Sequence, residues 1–150
     1  MFYQFAHYRF NMLTVQQACD VFQLRSEVFV VEQDCVYQDI DGQDANALHL
    51  LAYDDSETLV AYARIFEKGA KDPDYAWIGR VVVRQSYRKK RLGHELMKQA
   101  IGIIEKTHVH APIKISAQSH LVRFYAALGF VATGKNYIED GIPHSEMVRV

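Results

Sequence analysis

The stretch Val81-Val-Val-Arg-Gln-Ser-Tyr-Arg-Lys-Lys-Arg-Leu-Gly93 joins three valines to a basic turn and then to a helical pattern. Consecutive β-branched residues are typical of a buried strand, which we predict over residues 77–84. The first amides of a helix lack intrahelical partners, and the helix dipole adds positive potential there. The junction therefore predicts a binding site for phosphate groups, with a solvated basic turn as the alternative. Its candidate residues are Arg88, Lys89, Lys90, Arg91, Leu92, Gly93 and His94.

Strands and helices alternate on both sides of this junction. Toward the N-terminus we predict a strand at 3–9, a helix starting at the capping box of Thr14 and Gln17, a loop at 39–46, and antiparallel strands at 49–53 and 58–66. Toward the C-terminus we predict a helix from Leu92 to about His108, a strand at 113–117, a short helix capped by Ser119 and ended by Gly129, and strands at 130–133 and 145–150. This order indicates an α+β or layered α/β fold in which helices pack on the faces of a sheet.

The composition is that of an ordinary globular protein. The chain has 150 residues, of which 49% are hydrophobic and 23% charged, and its formal net charge is −1. We expect one domain over residues 1–150, and the disordered, collagen-like and disulfide-scaffold classes are excluded. No apolar run of about 18 residues and no signal-peptide pattern is found, so we expect a cytoplasmic protein without membrane contact. Cys19 and Cys35 are expected to be reduced.

Charge is distributed unevenly along the chain. Residues 26–63 contain no Lys or Arg, and nine carboxylates lie between Glu27 and Glu57. Five cations follow within eight positions, at Arg84, Arg88, Lys89, Lys90 and Arg91. One end of the molecule is therefore expected to attract cations and another end anions.

The interpretation of the junction depends on a second segment, Gln118-Ser-His-Leu-Val-Arg-Phe-Tyr-Ala-Ala-Leu-Gly-Phe130. Together, Arg88-x-x-x-Leu-Gly93 and Phe124-Tyr125-x-x-x-Gly129-Phe130 resemble the GNAT-type acetyl-CoA-dependent N-acetyltransferases. Five further segments resemble the ElaA-like branch of that family: Leu24-Arg-x-x-Val-Phe-Val-Val-Glu-Gln-x-Cys35, Asp39-x-Asp41, His49-Leu-Leu-Ala52, Ile115-Ser-Ala-Gln118 and Tyr137-Ile-Glu-Asp-Gly-Ile-Pro-His144. The resemblance extends over residues 13–147.

The resemblance implies a single GNAT-like domain with a central mixed, largely antiparallel sheet and helices on both faces. It also implies direct transfer of the acetyl group of acetyl-CoA to an amine. The family's pyrophosphate pattern maps onto Arg88, Arg91 and Gly93. Arg91 stands where the family has its first glycine, which requires a helical backbone there that tolerates a side chain. The family's general acid maps onto Tyr125, and Gln118 stands where the family more often has Asn.

The resemblance also places the cofactor between the strands at 77–84 and 113–117. Backbone groups of Val81 and Val83 can then pair with pantetheine, and amides near Val82 are candidates for stabilising the oxyanion. The general base stays open among Glu67, His49, His120, His144 and water. We expect no metal, because His108 and His110 lack a third ligand. Direct attack by the amine makes Cys19 and Cys35 unnecessary as nucleophiles.

The acceptor is expected to be an amine on a small molecule or a protein. If Asp39, Asp41 and Asp44 rim the acceptor side, their field would favour a cationic amine; the alternative is that they only keep a loop soluble. Two other functions stay open: a CoA-binding regulatory domain without turnover, and a nucleic-acid-binding module using Arg84 to Arg91. The acidic residues oppose the second function, so we expect no nucleic-acid partner. The oligomeric state is open, and a homodimer is compatible with the sequence.

Overall fold

The computed structural model describes residues 2–150. Its centre is a seven-stranded sheet in the order β1-β2-β3-β4-β5-β7-β6. The strands are β1 (Gln4–Arg9), β2 (Leu48–Tyr53), β3 (Leu59–Phe66), β4 (Ala76–Val83), β5 (Ile113–Gln118), β6 (Val131–Glu139) and β7 (Ile142–Arg149). Strands β4 and β5 are parallel, and every other neighbouring pair is antiparallel. The predicted mixed, largely antiparallel sheet is confirmed.

Helices cover both faces of this sheet, as predicted. They are α1 (Val15–Arg25), continued by a π-helical segment (Ser26–Glu32), α2 (Leu92–Thr107) and α3 (Val122–Ala126). On one face, Val21 and Leu24 of α1 pack with Tyr62 and Val82. On the other face, the apolar side of α2 packs on the sheet and forms the larger core. Within residues 2–150, no helix has the length and apolar content needed to cross a bilayer.

Two predicted helix boundaries have different outcomes. The capping box is confirmed: the Gln17 backbone N–H donates to Thr14 Oγ1 at 3.0 Å, and the Thr14 backbone N–H donates to Gln17 Oε1 at 2.9 Å. The prediction that Ser119 caps α3 is wrong, because α3 begins three residues later without a side-chain cap. The Ser119 hydroxyl instead lies 3.1 Å from the hydroxyl of Ser145 on β7.

The C-terminal hairpin is longer than the predicted strands at 130–133 and 145–150. Strand β6 runs from Val131 to Glu139 and is exposed over most of its length. Because neither face of β6 is consistently buried, no alternation of apolar and polar residues marks it in the sequence. The two strands are joined by Asp140 and Gly141, which both have positive φ (50° and 77°). An Asp-Gly pair of this kind is a favoured two-residue hairpin turn.

Candidate active site

The central feature of the site is the separation of β4 from β5. The parallel ladder between them consists of two pairs, Ala76 with Ile113 and Trp77 with Lys114. Beyond these pairs the strands diverge, and a cavity of about 600 Å³ opens between them. The gap lies where the sequence places the cofactor. Of the predicted site residues, Val81, Gln118 and Tyr125 line this cavity.

A β-bulge shapes the β4 side of the gap. Gly79 pairs with Arg64 and Val82 with Tyr62, so Arg80 and Val81 together face one residue of β3. Arg80 has a φ of 48°, which is a left-handed conformation. A bulge leaves its extra residue outside the ladder and re-aims the backbone. Backbone groups of β4 are therefore left for a ligand just before Val82. The Val82 side chain itself packs on the opposite face, against α1.

Tyr125 lies on α3 at the wall of this cavity. Its ring packs edge-to-face on Phe124 and Phe130, at centroid distances of 5.0 Å and 6.1 Å, and the residue is 7% exposed. Among residues 2–150, no group hydrogen-bonds its hydroxyl. Burial raises the pKa of Tyr125 to about 12, so the phenol stays protonated at neutral pH. The site thus holds an O–H donor whose position is fixed by packing.

The basic turn leads into α2 and reaches Tyr125 through one aromatic side chain. A Cβ atom at Gly93 would lie 3.5 Å from Phe124 Cζ and 3.7 Å from a methyl group of Val83. The N-terminus of α2 is therefore next to the residue that precedes Tyr125. The turn residues 88–94 do not line the 600 Å³ cavity itself. Gly93 is linked to the cavity residue Tyr125 through Phe124, which packs on the Tyr125 ring.

The conformation of Arg91 differs from the expectation. Arg91 precedes the first turn of α2 with φ 61° and ψ 11°, a left-handed conformation that is costly for a residue with a side chain. Lys89 is also left-handed, with φ 65°. A helical backbone that tolerates a side chain was expected at Arg91, but the observed backbone is left-handed, which is unfavourable for an L-residue. The position has the backbone that the family's glycine adopts without strain.

The arginines of the turn are partly occupied by protein groups. Arg88 forms two bonds to the Glu32 carboxylate, at 2.6 and 3.1 Å, and donates from Nε to the Val83 carbonyl at 2.9 Å. Arg84 bonds to Glu27 at 2.8 Å. Both glutamates lie on the π-helical segment. The exposed cations of the turn are Lys89, Lys90 and Arg91, while Leu92 is buried and can offer only its backbone.

Comparison with known proteins decides the family. Residues 13–150 match the family model described as "Acetyltransferase (GNAT) domain". The chain belongs to the GNAT acetyltransferase family. It is 42% identical to Protein ElaA of Escherichia coli over 139 residues, which covers 91% of this chain and 90% of ElaA. The ElaA-like resemblance inferred from the sequence is thereby confirmed.

Solved structures agree with this assignment. The crystal structure of Escherichia coli ElaA matches this GNAT domain with a TM-score of 0.92 over 99% of this chain and 100% of the other. An acyl-CoA N-acyltransferase from Pseudomonas aeruginosa matches with a TM-score of 0.91 and 39% identity, over 98% of this chain and 99% of the other. The GNAT assignment supports an acyltransferase activity.

His144 lines the cavity of this GNAT domain, and it is the one of the four candidate general bases that does so. Its Nδ1 lies 2.7 Å from the Ile142 carbonyl and therefore carries the proton, which leaves a lone pair on Nε2. The nearest carboxylate oxygen, of Glu139, lies 3.7 Å from Nε2. The ring stacks on Tyr137 at a centroid distance of 5.9 Å.

The other three candidates lie outside the cavity of the GNAT domain. Glu67 pairs with Arg9 at 2.9 Å and borders a separate groove. Both ring nitrogens of His49 are occupied, by the Tyr62 hydroxyl at 2.6 Å and the Asp44 carbonyl at 2.8 Å, and burial lowers its pKa. His120 is exposed and does not line the cavity. These positions do not allow direct proton transfer from an amine in the cavity.

The expected cation-attracting role of Asp39, Asp41 and Asp44 is wrong, because arginines neutralise all three. The cations come from Arg25 and Arg64, which flank the stretch without Lys or Arg, and from Arg80 on the bulge. We call these six residues the Arg–Asp network. Arg25 and Asp44 are both buried, 0% and 4% exposed. The network joins α1, the loop before β2, and strands β3 and β4, and its members Asp41, Arg64 and Arg80 line the cavity.

Several residues of the cavity were not predicted from the sequence. They include Lys71, Arg80, Ser116, Tyr137 and Glu139. Two signals pointed to Tyr137 and Glu139: the segment Tyr137–His144 carries part of the family resemblance, and its Asp-Gly turn joins the strands of Glu139 and His144. Within the described residues 2–150, no three metal-ligating side chains cluster, and the absence of a metal stays a prediction.

Proposed function

We propose that this protein transfers the acetyl group of acetyl-CoA directly to an amine, with Tyr125 as the general acid. The observation that carries the proposal is the gap between β4 and β5, which has the Tyr125 hydroxyl on its wall and the N-terminus of α2 beside it. Membership of the GNAT family supports it. The acceptor is an amine of a small molecule or a protein.

Residues from the N-terminus of α2 to the edge of β4 fit the successive parts of acetyl-CoA. The free amides at the start of α2, with Lys89, Lys90 and Arg91, suit a pyrophosphate. The unpaired edge of β4 suits the amides of pantetheine, which can add to it like a strand. When bound, acetyl-CoA supplies an activated acetyl thioester. The β4 backbone at the bulge then offers N–H groups to the carbonyl oxygen as negative charge develops on it.

Proton transfers complete the reaction. The acceptor enters as an ammonium ion, and His144 Nε2 takes the first proton from it, directly or through water. The amine nitrogen bonds to the acetyl carbon, the carbon–sulfur bond breaks, and Tyr125 donates its proton to the departing sulfur. The nitrogen loses a second proton as the amide forms. Of the two nitrogen protons, one restores the Tyr125 hydroxyl and one is released to solvent.

The test is a screen of amines with acetyl-CoA in which free thiol and acetylated product are both measured. With an acceptor that is acetylated, Tyr125→Phe should lower kcat by about 100-fold or more, as loss of a positioned proton donor does. The fold and acetyl-CoA affinity should be retained. Tyr137→Phe is the matched control, since it removes a hydroxyl of the same cavity that is bonded to Ser116. Equal kcat values for wild type and Tyr125→Phe would refute the role of Tyr125.

His144→Gln tests the base. It keeps an amide near the Ile142 carbonyl but removes the lone pair of Nε2. We expect kcat/KM to fall at neutral pH and to recover partly at high pH, where a larger fraction of the acceptor is already deprotonated. Acetyl-CoA binding without acetylation of any amine would instead favour a regulatory CoA-binding domain.

A further inference from the structure

On its β3–β4 side the cavity has a cation that forms no ion pair within 4 Å among residues 2–150. Lys71 lies in the loop between these strands and lines the cavity. Its ammonium is 4.4 Å from the ring centroid of Trp77 and 5.0 Å from that of Phe66. Among residues 2–150, no carboxylate lies within 4 Å of it, whereas Arg64 and Arg80, which also line the cavity, each pair with Asp41. Lys71 is thus held over two aromatic faces and its charge is left for a ligand.

The neighbouring arginines add no net charge to this side of the cavity. Arg64 and Arg80 line the same side of the cavity, but they belong to the Arg–Asp network, in which three cations match three carboxylates. The Nε–H of Arg64 has no hydrogen-bond partner among the described residues, but this atom is buried and is not available to a ligand in the cavity. The excess positive charge of this wall therefore comes from Lys71.

The wall across the gap has the opposite sign. The sheet order places β5, β7 and β6 on that side, and the turn of the β6–β7 hairpin contributes Glu139 and Asp140 to the cavity. Both are exposed, and no Lys or Arg of residues 2–150 pairs with them. Glu139 lies beside His144, the proposed base. A wall with a cation and a wall with two carboxylates thus face each other across the cavity.

We propose that the acceptor is an amine that also carries a carboxylate, as a free amino acid does. Its carboxylate binds Lys71, and its ammonium group lies on the Glu139 side, within reach of His144. This inference rests on the proposed acetyl transfer and specifies its substrate class. A polyamine would fit less well, because a second ammonium group would lie against Lys71.

The test compares matched acceptors. The panel contains the twenty standard L-amino acids, the carboxamide of each, and spermidine, with acetylation followed by mass spectrometry. We expect kcat/KM to be at least about 10-fold higher for the acid than for the amide, since a hydrogen bond between charged groups contributes about 1.5–3 kcal/mol.

Lys71→Gln isolates the contribution of Lys71. It should lower kcat/KM for the best acid by about 10- to 100-fold and leave its amide nearly unchanged. Comparing the acid-to-amide ratio in wild type and variant removes the difference in amine basicity between the two acceptors. Lys68→Gln is the control, because Lys68 is exposed in the same loop and does not line the cavity. Its ratio should equal that of the wild type.

Three results separate the two proposals. A higher ratio in wild type that collapses in Lys71→Gln supports the carboxylate subsite. Equal rates for acids and amides, faster acetylation of spermidine, or acetyl-CoA binding without acetylation of any acid would overturn it. No acetylation of any amine in the panel, whether or not acetyl-CoA binds, would refute the proposed function itself.

Discussion

Replacing Arg91 by glycine tests the strained entry into α2. Arg91 has φ 61°, and the Lys90 before it has no positive φ. The two residues are adjacent, exposed and cationic, but they differ in backbone conformation. Arg91→Gly and Lys90→Gly therefore form a matched pair in which charge is lost equally and strain is relieved only at position 91.

The magnitudes follow from the backbone. A left-handed conformation costs an L-residue about 1–2 kcal/mol, and glycine removes that cost. Glycine also adds freedom to the unfolded chain, which costs about 0.4–1 kcal/mol. With the middle of each range, the net effect expected for Arg91→Gly is a gain of about 0.8 kcal/mol. For Lys90→Gly the second contribution acts alone, and a loss of about 0.4–1 kcal/mol is expected.

The assay is thermal unfolding at several salt concentrations. For a chain of this length, 1 kcal/mol corresponds to about 3 °C in Tm. We expect Arg91→Gly to raise Tm by about 2–3 °C and Lys90→Gly to lower it by about 1–3 °C. Varying the salt separates strain from charge, because only the charge contribution is screened. A lower Tm for Arg91→Gly, or equal shifts for both variants, would show that Arg91 is not strained.

Three other changes have defined outcomes. Glu32→Gln removes the ion pair of Arg88 and frees its guanidinium for a phosphate. Because a partly exposed ion pair contributes about 0.2–1 kcal/mol, titration calorimetry should show acetyl-CoA binding up to about fivefold tighter. Weaker binding would mean that the ion pair holds Arg88 in place for the ligand. Arg25→Met removes one of the two arginine partners of both Asp39 and Asp44, which are buried, and chemical denaturation should show a loss of about 3–5 kcal/mol; a loss below about 1 kcal/mol would contradict this. Burial lowers the pKa of His49, so Tm should fall as pH drops below about 6.5. Burial alone would raise the pKa of Asp44, but its bonds to Arg25 and Arg64 have the larger effect and lower that pKa, so Tm should fall again below about pH 4. A Tm that stays constant from about pH 7 to 3 would contradict both.

The sequence predicts the architecture well where burial is periodic. Strand β4 and helix α2 are surrounded by core on at least one face, so their apolar residues follow the spacing of the element. The Tyr125 helix and its Gly129 stop were found for the same reason, and Gly129 has the expected positive φ of 93°. The exposed strand β6 has no such pattern, and its length was underestimated. Burial of one face is what makes an element readable.

The site is less predictable because it depends on contacts between distant segments. The gap between β4 and β5 arises from how two strands diverge, and no local pattern records this. The bulge at Arg80 is likewise set by the register between β3 and β4. The choice of His144 over His49 depends on which ring nitrogens are already bonded. Spacing along the chain gives residue types, and only the fold brings them to one cavity.

The charge around the cavity differs from what a count of charged residues along the chain suggests. The stretch without Lys or Arg suggested an anionic surface, yet Arg25 and Arg64 stand at its two borders and turn inward to bind its carboxylates. With the Arg–Asp network neutral, the field in the cavity depends on groups outside it, namely Lys71 and Glu139. Removing one network member would leave its partner's charge beside the cavity and would also weaken the fold. Stability and acceptor selectivity are therefore coupled at the network residues, whereas Lys71, which the fold does not need as an ion-pair partner, can change selectivity alone.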